Sequence, residues 1–289
     1  MRHSIESGCR ITAAILFLLT SFSCYPQFRG DSFQSALQTK TASLIYIYND
    51  VTDFAKTTEQ NKVKGLLIDV MYEFELYVKD QYDISVIRTY QRIDENNFQQ
   101  FLKAVEDSKG GTFGLSNTSI TDERKSKFQF SPPYISNISV LITHEKTQDL
   151  SMMSKINDEF GGMVAYSVPS STYLDRLNKI KTQHYPEMEI VLLKSGIDVM
   201  TEVAKNENSF AIVDLLYYLE FYKKDFPIKR HKAGDKAGDK FGIIMPLDND
   251  WQPIMEEFFK EFLSGPQYRK LISDHLGKSA IRLIGSGTF

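Results

Sequence analysis

The sequence predicts an α/β protein, and three observations carry the prediction. Short runs rich in β-branched and aromatic residues recur along the chain, at 43–48, 82–89, 138–143, 163–166, 189–193 and 209–214. Between them lie stretches with apolar residues at helical spacing, such as Leu66, Val70, Phe74 and Tyr77, then Phe98, Phe101, Leu102 and Val105. Stop signals divide the two kinds, Lys109-Gly110-Gly111 being the plainest. Strands alternating with amphipathic helices make open α/β sheets, whose ligands lie beyond the carboxyl ends of the strands.

Composition bounds the function. The chain has 289 residues, 42% hydrophobic and 25% charged, enough for one or two domains with a sizeable core. A net charge of -3 argues against a nucleic-acid binder. Residues 1–24 differ from the rest: Arg2 and Arg10 precede a mostly apolar run, too short to span a bilayer and sized for a signal-peptide core. Ser21-Phe22-Ser23 then leads to Cys24, so plain secretion and a lipid tether at Cys24 both stand open. Cys9 and Cys24 are the two cysteines, so the folded part carries neither disulfide nor thiol catalyst.

The elements follow in order. Residues 25–40 are polar and read as a linker. The 43–48 run is a buried strand ending at Asn49-Asp50, and the 66–77 and 98–105 stripes are helices around the 82–89 strand. Gly114-Leu115-Ser116-Asn117-Thr118-Ser119 then runs into Thr121-Asp122-Glu123-Arg124, where Thr121 or Asp122 caps a helix. Arg124 falls in its first turn, beside Ser119 and Asn117, and a guanidinium there can hold a carboxylate by two parallel hydrogen bonds. Taken alone, Arg124 is an ordinary solvated arginine. In the second half, Ser170 and Ser171 cap the helix after the 163–166 strand and offer hydroxyls and N–H groups to an anion. The 209–214 strand ends in Asp214, which either caps the next helix or faces the ligand crevice. Lys229-Arg230-His231-Lys232 reads as a solvated loop, and 241–246 as a strand followed by a helix with Met255, Phe258, Phe259 and Phe262 on one face.

The run Ser119-Ile-Thr-Asp-Glu-Arg124 through Phe130-Ser-Pro-Pro-Tyr134 resembles the "T-x-x-R … F-S-x-P-Y" signature of periplasmic amino-acid-binding proteins, the family 3 extracellular solute-binding group. The resemblance implies a type II periplasmic-binding-protein fold: two lobes, each with an open α/β sheet, joined by two hinge strands. It places lobe 1 at 41–143 and 241–289 and lobe 2 at 144–240. It implies a monomer outside the cytoplasmic membrane that captures a small polar ligand, an amino acid or related acid, for an ABC permease. Arg124 would grip the carboxylate with Ser119, Asn117, Ser170 and Ser171 around it, and Asp214 would take the ammonium. Asn49 and Phe54 would line the cleft from the first strand's loop, with Tyr166 a further specificity position. The sequence departs from the family in lacking a Pro-Pro-Phe element near Phe54 and in placing Ala165 and Pro169 where relatives carry glycine. The resemblance also leaves open a ligand sensor without a transport role, and a cyclohexadienyl-dehydratase-like enzyme using the same cleft. No phosphate loop, metal spacing or nucleophile elbow occurs in the sequence, so no cofactor is expected and binding rather than catalysis is the expectation.

Overall fold

A computed structural model describes residues 28–93 and 97–278. The expected leader at 1–24, with Cys24 and its tether, lies outside the described residues. In chain order the elements are α1 (Phe33–Thr39), β1 (Thr41–Tyr48), β2 (Lys56–Thr57), β3 (Val63–Lys64), α2 (Leu66–Tyr82), β4 (Ser85–Arg92), α3 (Phe98–Glu106), β5 (Thr112–Leu115), α4 (Asp122–Lys125), β6 (Gln129–Phe130) and β7 (Ile135–His144). They continue as α5 (Ile156–Glu159), β8 (Val164–Ser167), α6 (Thr172–Gln183), β9 (Glu189–Leu192), α7 (Gly196–Lys205), β10 (Ser209–Asp214), α8 (Leu215–Tyr222), β11 (Ile228–Phe241), β12 (Ile244–Met245), α9 (Gln252–Phe262) and α10 (Pro266–Leu276).

Ten of the twelve described strands form two five-stranded sheets, ordered β4-β1-β5-β12-β6 and β11-β7-β10-β8-β9, and β2 and β3 pair as a separate antiparallel ribbon. In the first, β1 runs parallel to β4 and β5, and β12 closes on β5 and β6 antiparallel. In the second, β10, β8 and β9 are parallel while β7 is antiparallel to both β10 and β11. Each sheet carries apolar side chains on both faces, as parallel strands between helices must. Leu44, Tyr46 and Phe113 meet α2 and α9, where Phe74 and Phe258 pack edge to face at 5.5 Å. Ile47 and Ile244 meet Phe101 and Val105 of α3 on the other face. In the second sheet Phe210 packs with Phe160 and Leu177, and Ala211 and Val213 pack with Val199, Val203 and Phe221. Gly114 on β5 has to be glycine, since a Cβ there would sit 2.6 Å from Ile244 and 2.7 Å from Val105.

The chain crosses between the sheets at two points, and these points are stitched together. Ser131 N–H donates to the Ile243 carbonyl at 2.9 Å, and Ile243 N–H donates to Ser131 Oγ at 3.0 Å. Tyr134 N–H donates to the Phe241 carbonyl at 3.0 Å. The Phe130-Ser-Pro-Pro-Tyr134 motif is thus the crossing itself.

Three expectations are corrected. Residues 33–39 of the expected linker form α1. Ser32 caps it by accepting from Ser35 N–H, Asp250 accepts from the N–H groups of Phe33 and Gln34, and Phe33 and Ala36 are buried against the first core. An apolar face of Phe33, Ala36 and Leu37 spans barely two turns, too little to register as periodicity. The first lobe was expected to reach 143, but β7 belongs wholly to the second sheet, so the crossing precedes Ile135. An apolar run does not say which sheet it joins. The basic run at 229–232 lies in β11 rather than in a loop: His231 is buried, with Nε2 against Thr143 Oγ1 at 2.7 Å and Nδ1 accepting from Leu150 N–H at 3.1 Å. Burial, then the nearby Lys229, pushes His231 down to about 4.

Candidate ligand-binding site

The parallel pairing of β1 with β5 brings their carboxyl ends side by side, Tyr48 opposite Leu115, so the loops at Asn49 and Asn117 share one edge. In the second sheet β8 and β10 end likewise at Ser167 and Asp214. The two edges enclose a cavity of about 140 Å³. Its wall includes Asn49, Asn117, Ser119 and Arg124 from the first sheet's side, and Ser171 and Asp214 from the second's. Tyr134 fixes the Asn117 loop, its hydroxyl donating to the Ser116 carbonyl at 3.0 Å.

Arg124 sits at one pole. Thr121 caps the short helix by accepting the Arg124 N–H at 3.2 Å, which turns the side chain inward to 8% exposure. Its Nη1 donates to the Ser119 carbonyl and its Nη2 to the Ser170 carbonyl, each at 2.9 Å, while the guanidinium lies 5.1 Å from the centre of the Phe98 ring. Among the described residues no carboxylate pairs with it. Burial lowers its pKa from the usual arginine range, and an arginine stays charged nonetheless. Of five N–H donors, two reach backbone oxygens, which leaves donors for an anion.

Asp214 sits at the other pole, 5% exposed. It precedes α8, yet its side chain makes no capping bond. Instead Oδ2 accepts from Asn117 Nδ2 at 2.7 Å, and Oδ1 accepts from Asn137 Nδ2 and the Tyr173 hydroxyl. Burial pushes its pKa up to about 7, with Asp239 adding to the rise, against the lowering by those three hydrogen bonds. Asn49 Oδ1, on the cavity wall, is a buried acceptor without a partner among the described residues. One pole is therefore a guanidinium with donors to spare, the other a buried carboxyl group with the Asn49 acceptor on the same wall.

Among the described residues three side-chain hydrogen bonds cross from one side of the cleft to the other: Asn117 to Asp214, Arg124 to the Ser170 carbonyl, and Ser119 Oγ to Thr172 Oγ1 at 3.5 Å.

The structure brings six of the eight expected residues together on this wall; Phe54 and Ser170 are elsewhere. Phe54 is buried in the first core against Tyr134 and Phe241, because the chain doubles back between Val51 and Ala55 through a left-handed Asp53 (φ 65°). Ser170, itself left-handed at φ 59°, forms the tip of its turn and offers its carbonyl to Arg124, while Ser171 Oγ caps α6 by accepting from Leu174 N–H at 3.1 Å. Tyr173, Phe98 and Tyr217 also line the cavity, and Asn137 reaches Asp214 from behind. Tyr173 adjoins the Ser170–Ser171 turn and could have been suspected from that place; Asn137, inside a strand, carries no local signal.

Residues 45–278 match the family model for bacterial extracellular solute-binding proteins, family 3. Among solved structures, an ancestral arginine-binding protein bound to arginine is 16% identical with a TM-score of 0.66, covering 81% of this chain and 98% of the other. The arginine-, lysine-, histidine-binding protein ArtJ from Geobacillus stearothermophilus is 14% identical with a TM-score of 0.65, covering 83% and 99%. The ancestral amino acid-binding protein AncCDT-1, a precursor of cyclohexadienyl dehydratase, is 15% identical with a TM-score of 0.64, covering 84% and 98%. At these identities the likeness is one of fold, the two-lobed periplasmic-binding-protein architecture. No match was found among curated proteins.

Proposed function

The chain belongs to the family 3 bacterial extracellular solute-binding proteins, and we propose that it captures a small zwitterion of the amino-acid class between its lobes and delivers it to an ABC importer. One observation carries this reading. A buried guanidinium and a buried carboxylate line the same cavity without pairing with each other. A ligand with a carboxylate and an ammonium group supplies each with its counter-charge through charge-assisted hydrogen bonds, and relieves two buried charges that are otherwise uncompensated. Arg124 then holds the carboxylate with Ser119 and Ser171 nearby, and Asp214 with Asn117 and Asn49 takes the ammonium. The lobes close on the ligand by a hinge at the two stitched crossings. The protein works outside the cytoplasmic membrane, by secretion or by a tether at Cys24.

The test is a thermal-shift screen of the twenty standard amino acids, small dicarboxylates and prephenate. A ligand at a hundred times its dissociation constant adds about 2.7 kcal/mol. A shift with at least one α-amino acid supports the reading. A shift with prephenate alone, together with its turnover, overturns it in favour of a dehydratase, which would use Asp214 as a proton carrier.

A further inference from the structure

Asn137 lies inside β7 and is 1% exposed. Its Nδ2 donates to Asp214 Oδ1, yet its Oδ1 is buried without a partner among the described residues. The other groups bonded to Asp214, Asn117 and Tyr173, are neutral as well, and among the described residues no cation pairs with this carboxylate. The charged and titratable groups around it come from several elements. Tyr173 of α6, Tyr217 of α8 and Tyr134 before β7 face it, as does Asp239 of β11, a like charge. Arg124 lies towards Tyr173, and Arg176 of α6 lies towards Asp239 and Tyr173.

At a carboxyl group buried on the cavity wall and met by neutral donors, burial favours the neutral form while the donors favour the charged one, and the two effects oppose each other. The two forms need different neighbours: the carboxylate accepts only, whereas the acid has an O–H to donate. A buried O–H without an acceptor is unfavourable. An amide resolves this conflict, since a half-turn about its last bond exchanges a donor NH₂ for an acceptor oxygen at nearly the same place. The unpartnered Asn137 Oδ1 is such an acceptor.

We propose that Asn137 is a positioning residue for Asp214: its amide donates to the carboxylate, turns over to accept from the acid, and so lets the cleft hold an exchangeable proton that a cationic ligand expels to solvent. The balance is simple. Asp214 gives up its proton to water as the ligand's cation takes its place, and no bond to carbon changes. The burial that raises Asp214 to about 7 sets the range in which this matters. Below that pH the affinity for a cationic ligand falls about tenfold per pH unit, and above it the affinity is flat. Only the expulsion step rests on the proposed ligand class.

The experiment is an NMR titration of protein carrying ¹³C-carboxyl aspartate and ¹⁵N-asparagine, with Asp214 assigned through Asp214→Asn and the Asn137 amide through Asn137→Leu. Asp214 is expected to titrate near neutrality, and the Asn137 NH₂ pair to move with the same midpoint. Asn137→Leu should raise the Asp214 midpoint. Should that variant fail to fold, Tyr173→Phe removes a donor but spares the amide, so the midpoint rises while the Asn137 pair still follows it. An Asp214 resonance that stays ionised into the acid range, or an Asn137 pair indifferent to the titration, overturns the proposal. The titration is then repeated with methylammonium and with each of the twenty amino acids, and a lowered midpoint supports expulsion. A midpoint that no probe lowers overturns it. A midpoint lowered by methylammonium but by no amino acid keeps the proton device and removes the amino-acid reading.

Discussion

Replacing Arg124 separates the two roles the structure gives it. Arg124→Ala removes the anion's partner and also two 2.9 Å hydrogen bonds, to the carbonyls of Ser119 and Ser170, the second of which ties the lobes together. Truncating one partner of a buried, hydrogen-bonded charge pair costs about 2–5 kcal/mol, or roughly thirty-fold or more in affinity. Arg124→Lys keeps the charge but has no planar fork, so it should recover little of the loss. The loss alone does not separate a lost ion pair from a loosened cleft, so the ligand must be varied too. The assay is calorimetry in a double cycle, pairing wild type and Arg124→Ala with the best amino acid from the screen and its decarboxylated amine. Wild type should lose most of its affinity for the amine, and Arg124→Ala should lose little more. If Arg124→Ala discriminates against the amine as strongly as wild type does, the anchor is elsewhere and the reasoning from the guanidinium fails.

The remaining predictions follow from the same geometry. Because Asp214 is raised to about 7 in the fold from the ordinary 3.8, the native state binds more protons across that window and stability falls as pH rises through it; Asp214→Asn should relieve up to about 4 kcal/mol above neutrality and little near pH 4, and equal changes in melting temperature at both ends would contradict this. His231, lowered to about 4, has the opposite sign: the unfolded chain binds its proton first, so stability is full above the unfolded value of 6.5 and is lost as pH falls towards 4, a slope that His231→Gln should flatten in denaturant titrations. Phe33→Ala should destabilise the protein by about 3 kcal/mol, since Phe33 packs on Trp251 and Tyr82 at 5.1 Å, whereas a tether residue would leave the urea midpoint unchanged. Small-angle scattering should show a smaller radius of gyration with saturating amino acid than without; identical curves would refute the hinge.

Much of the fold could be read from local pattern, and the failures share a cause. Strands such as 43–48 and 209–214 announce themselves because both faces are largely buried, so their central residues, 44–48 and 210–213, run apolar or aromatic without a break. Helices such as α2 show their buried stripe. What local pattern leaves open is partnership at a distance. The β7 run reads as a strand but not as a member of the second sheet. The polar β11 reads as a loop because its stability comes from pairing with β7 along most of its length. The site behaves similarly. Arg124 and Asp214, far apart in sequence, reach one cavity because Arg124 lies in the short α4 that follows β5 and Asp214 ends β10, and the pairing of the two comes from the family resemblance rather than from composition. The resemblance places Phe54 in the cleft, but the chain doubles back through the left-handed Asp53 and turns the ring into the first core. Asn137 acts across a sheet on a residue 77 positions away, and nothing near it in sequence marks that role.

The central claim is that one cavity binds one zwitterion by its two charged poles. A crystal structure of the protein with the best amino acid from the screen tests it most directly. The account predicts the ligand's carboxylate within hydrogen-bond distance of the Arg124 guanidinium and its ammonium group on Asp214, with Asn49 and Asn117 beside it. A ligand bound the other way round, or seated outside the cavity with Arg124 still holding only the Ser119 and Ser170 carbonyls, would contradict it.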